Sequence, residues 1–130
     1  MLSNLFICAS YEKNEFEKHI PAPLFRRRFT LSRRQSAEVT VCGLGFYELY
    51  INGEKITKGR LAPYISNPDD VVYYDKYDLT DYIRSGENVI GVCLGNGLLN
   101  NPGGKTWDFD KAAFRSVPKL AIHFSSDEVR

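Results

Sequence analysis

Apolar and polar side chains alternate along much of the sequence from Leu24 onward. In the first such stretch Phe25, Phe29 and Leu31 share one face, and polar residues occupy the other. A period of two places alternate side chains on opposite faces of a β-strand, whereas a helix needs a period near 3.6. The pattern therefore predicts a chain built from half-buried antiparallel strands.

Arg27 interrupts the apolar face of this first strand. A charge that is buried without a partner costs several kcal/mol. The sequence therefore predicts that Arg27 lies on the inner face and pairs with a carboxylate.

The strongest local signal is Asn52-Gly53, because a two-residue type I′ turn requires positive φ at both positions. It predicts a hairpin between two apolar runs. Residues 88–94 are apolar at nearly every position, which predicts a strand covered on both faces. Together the runs predict strands at 24–31, 37–41, 46–51, 54–56, 71–77, 88–94 and 119–124.

Little of the chain favours a helix. Thr80 can cap one short helical turn, and residues 98–117 form a long loop without a clean period. Long irregular loops in compact domains usually have a function or cover a neighbour. Six or seven strands separated by frequent turn signals predict an all-β fold, namely an antiparallel β-sandwich or jelly roll of the galactose-binding-like kind.

The chain is predicted to have two parts. Residues 1–23 form a leader, because Pro21 and Pro23 prevent a regular element at the junction. The leader is expected to pack on the sandwich or to extend from it. Residues 24–130 form the sandwich, and residues 125–130 resemble a turn followed by the start of another strand. Complete domains normally close such an edge, so we expect the sandwich to be truncated at its C-terminal end.

Composition and charge argue against several classes of protein. The 130 residues are 43% hydrophobic and 13% aromatic, which is too apolar for a disordered chain. A net charge of +1 provides no long-range field to attract nucleic acid or an anionic membrane. No apolar stretch is long enough for a secretory signal or a membrane span, so a cytoplasmic location is expected.

Neither a cofactor nor a metal ion is predicted. The pairs Gly43-x-Gly45 and Gly95-x-Gly97 lack the third glycine of a dinucleotide-binding loop, so both predict tight turns. The two histidines lie at opposite ends of the chain and have no partner at metal-ligand spacing.

The three cysteines, Cys8, Cys42 and Cys93, form no CxxC pair. Cys42 and Cys93 fall within predicted strands, where a free cysteine behaves as a small apolar residue. A disulfide between these two residues is the alternative interpretation.

Acidic residues are numerous, but most of them lie at turn or cap positions. There a short acidic side chain bonds nearby backbone, which explains the residue without any catalytic role. No catalytic residue is predicted. The acids considered are Asp69, Asp70, Asp75, Asp78, Asp81, Asp108 and Asp110.

Trp107 and Tyr64 are the candidates for a sugar-stacking platform, because aromatic rings offer apolar faces to a pyranose. The polar side chains of Asp108 and Asn101 would supply hydrogen bonds beside them. These four residues form the predicted carbohydrate-binding site. The alternative interpretation is that Trp107 only packs against the rest of the domain.

Five runs carry a family resemblance when they are taken in order: Gly43–Gly53, Leu61–Pro63, Tyr77–Asp81, Gly86–Val92 and Leu94–Gly97. This ordered set looks like the N-terminal β-sandwich domain of bacterial α-L-rhamnosidases, and the likeness covers about Leu24 to Phe124. Some pieces also look like the jelly-roll domains of β-galactosidase and β-glucuronidase relatives. Where many rhamnosidases continue the Gly-Asn-Gly with an aromatic pair, this chain has Leu98-Leu99.

The resemblance implies an accessory role. In that family the catalytic carboxylates belong to a later α/α-barrel domain, and no position of this chain matches their motifs. Full-length relatives hydrolyse terminal α-L-rhamnosyl units with inversion. The resemblance thus implies a non-catalytic domain that supports the barrel, whose partners are the remaining domains and rhamnose-containing glycans. A stand-alone carbohydrate-binding or interaction module is the alternative.

Overall fold

The computed structural model describes residues 2, 5–59, 61–103 and 106–128. These residues form seven β-strands and two short 3-10 helices. The strands are β1 (Leu24–Leu31), β2 (Ala37–Leu44), β3 (Tyr47–Ile51), β4 (Glu54–Lys55), β5 (Asp75–Asp78), β6 (Gly86–Leu94) and β7 (Lys119–Ser126), and the 3-10 helices are Leu98–Asn100 and Phe109–Lys111.

Two antiparallel sheets enclose one core. The strand order is β1-β6-β3-β4 in the first sheet and β5-β2-β7 in the second. Both sheets contribute to a single cluster of buried apolar side chains. The predicted all-β sandwich is therefore confirmed.

The alternation seen in the sequence places the core side chains. Val39 and Val41 of β2 are fully buried, as are Leu49 and Ile51 of β3. Burying a side chain of this size contributes about 1.5–3 kcal/mol relative to leaving it exposed. Tyr50, between the two β3 residues, is only partly covered, as on a half-buried strand, whereas Thr40, between the two β2 residues, is buried as well.

The Asn52-Gly53 hairpin is confirmed, since both residues have positive φ, 52° and 86°. The Asn52 side chain also joins separate elements. Its Oδ1 accepts from the N–H of Val89 at 2.9 Å, and its Nδ2 donates to the carbonyl of Tyr82 at 2.9 Å. The turn residue thus fixes β3 against β6 as well as closing the hairpin.

The strand predicted at 71–77 is wrong in its first half. Strand β5 begins only at Asp75, which pairs with Val41 of β2, and the side chains of residues 71–74 are exposed. The N–H of Val71 instead donates to the carbonyl of Asn67 at 2.9 Å. Aromatic and β-branched residues favour a strand only where a partner strand lies alongside.

The prediction that β6 is covered on both faces is also wrong. Asn88, Ile90, Val92 and Leu94 are buried, but the residues between them are only partly covered. The outward positions include the small Gly91 and Cys93, which leave little apolar surface that would need a cover.

Arg27 is exposed, so the prediction of a buried charge with a carboxylate partner is wrong. The cause is the position of β1, which pairs with β6 alone and lies at the edge of its sheet. At an edge, an inward-pointing charge reaches water and discourages pairing with another chain.

The predicted helical turn follows β5, where the N–H of Ile83 donates to the carbonyl of Leu79 at 3.1 Å. Its cap is Asp78 rather than Thr80. The Asp78 carboxylate accepts from the N–H of Thr80 at 2.9 Å, and hydrogen bonds with Thr80 hold the pKa of Asp78 below its ordinary value. The Thr80 hydroxyl instead accepts from the N–H of Ala37 at 3.3 Å.

The two glycine pairs form turns that lie against each other. The N–H of Gly95 donates to the carbonyl of Phe46 at 2.5 Å, and Gly45 has a φ of 141°. A Cβ at Gly45 would lie 2.2 Å from the carbonyl oxygen of Gly95. The close approach of these turns therefore requires glycine at position 45.

The N-terminal residues contact the sandwich at two places. Ile7 and Leu120 exchange two backbone hydrogen bonds of 2.9 Å at the edge of β7. Further along, the N–H of Asn14 donates to Oδ1 of Asn100 at 3.0 Å. Asn100 is fully buried in the long loop, so its amide requires such partners.

All three cysteines are free, with Cys42 buried in β2 and Cys93 partly covered in β6. The interpretation as small apolar strand residues is confirmed for these two. Burial, followed by the charge of Asp75, raises the pKa of the Cys42 thiol. Within the described residues, no helix is long and apolar enough to cross a membrane.

Tyr47 joins the two sheets. It lies on β3 in the core, and its hydroxyl donates to Oδ2 of Asp75 on β5 at 2.5 Å. The hydroxyls of Tyr47 and Tyr77 are 2.9 Å apart. Burial and the hydrogen bond to Asp75 raise the pKa of Tyr47 far above its ordinary value of 10.0. The folded chain therefore holds this hydroxyl proton to a higher pH than an unfolded chain does.

We expect Tyr47→Phe to lower the free energy of unfolding at neutral pH by about 1–3 kcal/mol, because Asp75 loses a buried donor. In alkali, the free energy of unfolding should fall with pH more steeply in the wild type than in the variant. An unfolded chain ionises Tyr47 at its ordinary pKa of 10.0 and the folded chain ionises it only at higher pH, so wild-type stability falls above that pH. One such group contributes up to about 1.4 kcal/mol per pH unit.

Urea unfolding from about pH 7 to about pH 11 measures both effects, and the variant should show the shallower alkaline decline. Tyr77 also has a raised pKa, through its burial, so some decline remains. Tyr11→Phe is the control, because Tyr11 is highly exposed. Parallel pH curves for wild type and Tyr47→Phe would contradict the assignment.

Candidate functional site

Trp107 is exposed over 62% of its surface and lies in the long loop. Its ring stacks on Phe109 with 5.8 Å between centroids, and Phe109 meets Phe114 edge-on at 6.0 Å. The backbone N–H of Trp107 donates to the carbonyl of Gly103 at 3.2 Å. Phe109 thus covers one face of the indole, while the other face remains open to solvent.

The two polar residues predicted beside Trp107 have local partners. The Asp108 carboxylate lies 3.3 Å from Nζ of Lys111, and Oδ1 of Asn101 accepts from the N–H of Gly103 at 2.8 Å. Both residues are exposed. A carboxylate and an amide keep further hydrogen-bonding capacity after one bond each.

Tyr64 is separate from this aromatic cluster. It is 86% exposed, and among the described residues it has no ring contact with Trp107. Tyr64 lines two cavities, one beside the glycine turns at 43–46 and 97–99 and one beside Asp75. Trp107 lines neither cavity. The structure therefore divides the four predicted residues between two places rather than forming one stacked platform.

A large apolar surface near Tyr64 was missed by the sequence reasoning. Seven large apolar side chains between residues 61 and 74 are exposed over 40–86% of their surface. The signal was present as two dense apolar runs around a proline-containing turn, but the second run was interpreted as a strand. We call this the crossing-loop surface: Leu61, Tyr64, Ile65, Val71, Val72, Tyr73 and Tyr74.

The second cavity of Tyr64, which we call the Asp75 cavity, has a volume of about 260 Å³. The carboxylate of Asp75 is half-buried there and accepts from the Tyr47 hydroxyl. Burial raises the pKa of Tyr77, which lines the same cavity, although its hydrogen bond with Tyr47 acts in the opposite direction. Lys58 supplies a positive charge on the wall.

The described lining of the Asp75 cavity does not contain the pair of carboxylates that glycoside hydrolysis uses. That reaction uses two carboxylates that flank the scissile bond, and among the described lining residues Asp75 is the single acid. Outside the cavity lining, the Asp70 carboxylate accepts from Nδ2 of Asn67 at 2.6 Å, and the backbone N–H of Asp69 donates to Oδ1 of Asn67 at 3.2 Å. In the described part of the chain, no group of three or more His, Cys, Asp or Glu residues is placed to hold a metal ion.

Comparisons with known proteins agree with one another. The α-L-rhamnosidase of Formosa agariphila is 46% identical over 78 residues, which are 59% of this chain and 8% of that protein. A structure of α-L-rhamnosidase from Dictyoglumus thermophilum superposes with a TM-score of 0.70 at 37% identity, over 85% of this chain and 12% of that one. The chain therefore spans a small part of the proteins that it matches.

The fold also matches a native α-L-rhamnosidase from Aspergillus terreus, with a TM-score of 0.78 over 96% of this chain and 15% of that one. At 23% identity this likeness supports the fold alone. The model of the family described as the α-L-rhamnosidase N-terminal domain matches residues 32–128, well over half of the chain. The chain belongs to the family of α-L-rhamnosidase N-terminal domains.

Proposed function

We propose that this chain is a non-catalytic accessory domain of a longer α-L-rhamnosidase that hydrolyses terminal α-L-rhamnosyl residues from glycans or glycosides. The supporting observation is that it matches an N-terminal domain while spanning 8% and 12% of the relatives described above. Most of each relative lies outside the matched part. The single acid of the Asp75 cavity also favours a role without acid–base chemistry.

The accessory role is to support the catalytic domain, and we assign the contact to the crossing-loop surface. Soluble monomers rarely expose a large contiguous apolar patch unless it binds something. Four of the seven side chains, those of Tyr64, Ile65, Val72 and Tyr73, line one cavity together, and all seven lie in one segment of 14 residues. Because relatives carry most of their length beyond this domain, the remaining domains of the same polypeptide are the occupant that fits.

The first test is catalytic. The isolated 130-residue chain should not hydrolyse an aryl α-L-rhamnoside, whereas the full-length relative from Formosa agariphila serves as the positive control. Release of the aryl group is followed by absorbance over hours at high protein concentration. Turnover that exceeds the buffer rate and disappears after heating the chain would contradict the non-catalytic assignment.

The second test concerns the crossing-loop surface. Ile65→Asp combined with Val72→Asp should reduce binding of a hydrophobic fluorescent dye, because both side chains are exposed. The free energy of unfolding should change by no more than about 0.5 kcal/mol per site, as for other surface substitutions.

Leu24→Asp is the matched control, since Leu24 is equally apolar and highly exposed but lies on β1. It should lower dye binding less than the double variant. A large loss of stability in the double variant would mean that these side chains belong to the domain's own core, and the docking surface would then be rejected.

A second function, contact with rhamnose-containing glycans, is favoured by the open face of Trp107. We propose that the indole stacks on a sugar ring while Asp108 accepts hydrogen bonds and Asn101 donates or accepts them, with Tyr64 as a separate contact. A ring already supported by Phe109 loses little conformational entropy on binding.

Trp107 is the single tryptophan of the sequence, so its fluorescence reports on this contact alone. Rhamnosyl oligosaccharides at millimolar concentration should shift its emission to shorter wavelength. Calorimetry should show that Trp107→Ala weakens binding by about tenfold, in line with the roughly 1–1.5 kcal/mol attributed to a good ring contact. Unchanged emission together with equal affinity of the variant would remove this function.

A further inference from the structure

We propose that the base of the long loop is a recognition site for the main chain of a peptide segment, and that leader residues 14–20 are its occupant in this chain. The leader and the loop base then open and close as one unit, separately from the core of the sandwich. The base consists of Asn96 and Asn100 at one end of the loop and Arg115 at the other. Neither a sugar nor the crossing-loop surface takes part, so this site goes beyond the proposed function.

Four hydrogen bonds form a closed ring between the leader and the first end of the loop. The N–H of Asn14 donates to Oδ1 of Asn100 at 3.0 Å, and Nδ2 of Asn100 donates to Oδ1 of Asn96 at 2.7 Å. Nδ2 of Asn96 donates to the carbonyl of Ile20 at 3.0 Å, and the N–H of Ile20 donates to Oδ1 of Asn14 at 2.6 Å. We call these four residues the asparagine ring, which closes only when the leader occupies the site.

The other end of the loop binds the same leader residue. Nη2 of Arg115 donates to the carbonyl of Asn14. The N–H of Ser116 donates to the carbonyl of Leu99 at 3.0 Å, which holds the two ends of the loop together. Among the described residues, the Arg115 side chain makes no other hydrogen bond, and its Nε is buried without a partner. The leader carbonyl therefore fixes the guanidinium at the loop base.

The site binds main-chain atoms of the leader rather than its side chains. The contacts reach the N–H and the carbonyl of Asn14 and the carbonyl of Ile20. The side chains of residues 15–19, between these two positions, are all exposed. The Asn14 side chain bonds to Ile20 within the leader and so gives the segment its shape. A site of this kind accepts different sequences at 15–19 as long as Asn14 is kept.

Burial makes the leader and the loop base depend on each other. Asn100 is fully buried, and Asn14 is only 9% exposed. Without the leader, the buried Oδ1 of Asn100 loses its donor, and a buried polar group without a partner is costly. The described core cluster contains no member of the asparagine ring. The leader and the loop base should therefore be released in one step that leaves the two sheets intact.

Native-state hydrogen exchange of the full 130-residue chain, followed residue by residue by NMR, measures this opening. The amides of Asn14, Ile20 and Ser116 report on the leader and the loop base, and the amides of β2 report on the core. At low denaturant the three amides should share one opening equilibrium. They should exchange at least about tenfold faster than the slowest amides of β2, because their opening does not require global unfolding.

Arg115→Ala and Asn100→Ala should each raise the exchange rate of the Ile20 amide by about tenfold or more, because each removes a contact that holds the leader. Neither substitution touches the hydrogen bond that Ile20 donates to Asn14, so a purely local effect would not change this rate. The amides of β2 should exchange as in the wild type. Arg115 is only partly buried, so its variant should fold and decides the matter if Asn100→Ala does not.

Two controls separate the site from its surroundings. Lys111→Ala removes an equal charge from the same loop, where Lys111 bonds to Asp108 outside the ring, and exchange should equal that of the wild type. Glu15→Ser, Phe16→Ser and Glu17→Ser together replace exposed leader side chains. After correction for intrinsic rates, this triple variant should also exchange as the wild type does, because the site binds the main chain.

Three results would overturn the proposal. The first is exchange of the Asn14, Ile20 and Ser116 amides only through the global unfolding that also exposes β2. The second is an unchanged Ile20 rate in Arg115→Ala. The third is an increase in Lys111→Ala or in the triple variant as large as that in Arg115→Ala, which would mean that loop charge or leader side chains hold the segment.

Discussion

The hydrogen bond from Tyr47 to Asp75 is the interaction on which the rest of the arrangement depends. Tyr47 belongs to one sheet and Asp75 to the other, so the 2.5 Å bond fixes the sheets at a polar point within an apolar core. The backbone N–H of Tyr47 also donates to the carbonyl of Ala62 at 2.7 Å, where the crossing loop returns to the sandwich. One residue thereby ties together the two sheets, the start of β5 and the end of the crossing loop.

Side-chain periodicity predicted the parts of the fold that depend on facing a core. Residues 37–41 and 46–51 alternate because one face of each strand is buried, and Asn52-Gly53 turns because few other pairs tolerate positive φ twice. The errors arose where the outcome depends on a neighbour. Residues 71–74 have strand composition but no partner beside them, and Arg27 has an inner position but lies at an edge. Periodicity indicates which face of a strand a side chain occupies, but it does not indicate whether another strand or water lies against that face.

The sequence predicted which kinds of residue form the candidate sites, but it did not predict which of these residues lie together. Trp107 and Tyr64 stood out because exposed aromatic residues among polar neighbours suit sugars, yet the paths of two long loops place them apart. The Asp75 cavity brings together residues 57–58, 64 and 75, whose spacing in the sequence resembles no motif. The acid itself was interpreted as a turn residue. Only the pairing of β5 with β2 shows that its carboxylate points toward Tyr47.

The crossing-loop surface and the Asp75 cavity share Tyr64, so the two features are physically linked. A domain that covers this surface would also cover one wall of the cavity. By linkage, any group bound in the cavity would change the affinity of that domain by the same factor as the domain changes the affinity of the group. The side chains of Asn52 and Asn88 make hydrogen bonds to each other and to the backbone of the sandwich. The loops around the cavity are therefore the part of the domain that can adapt to a partner.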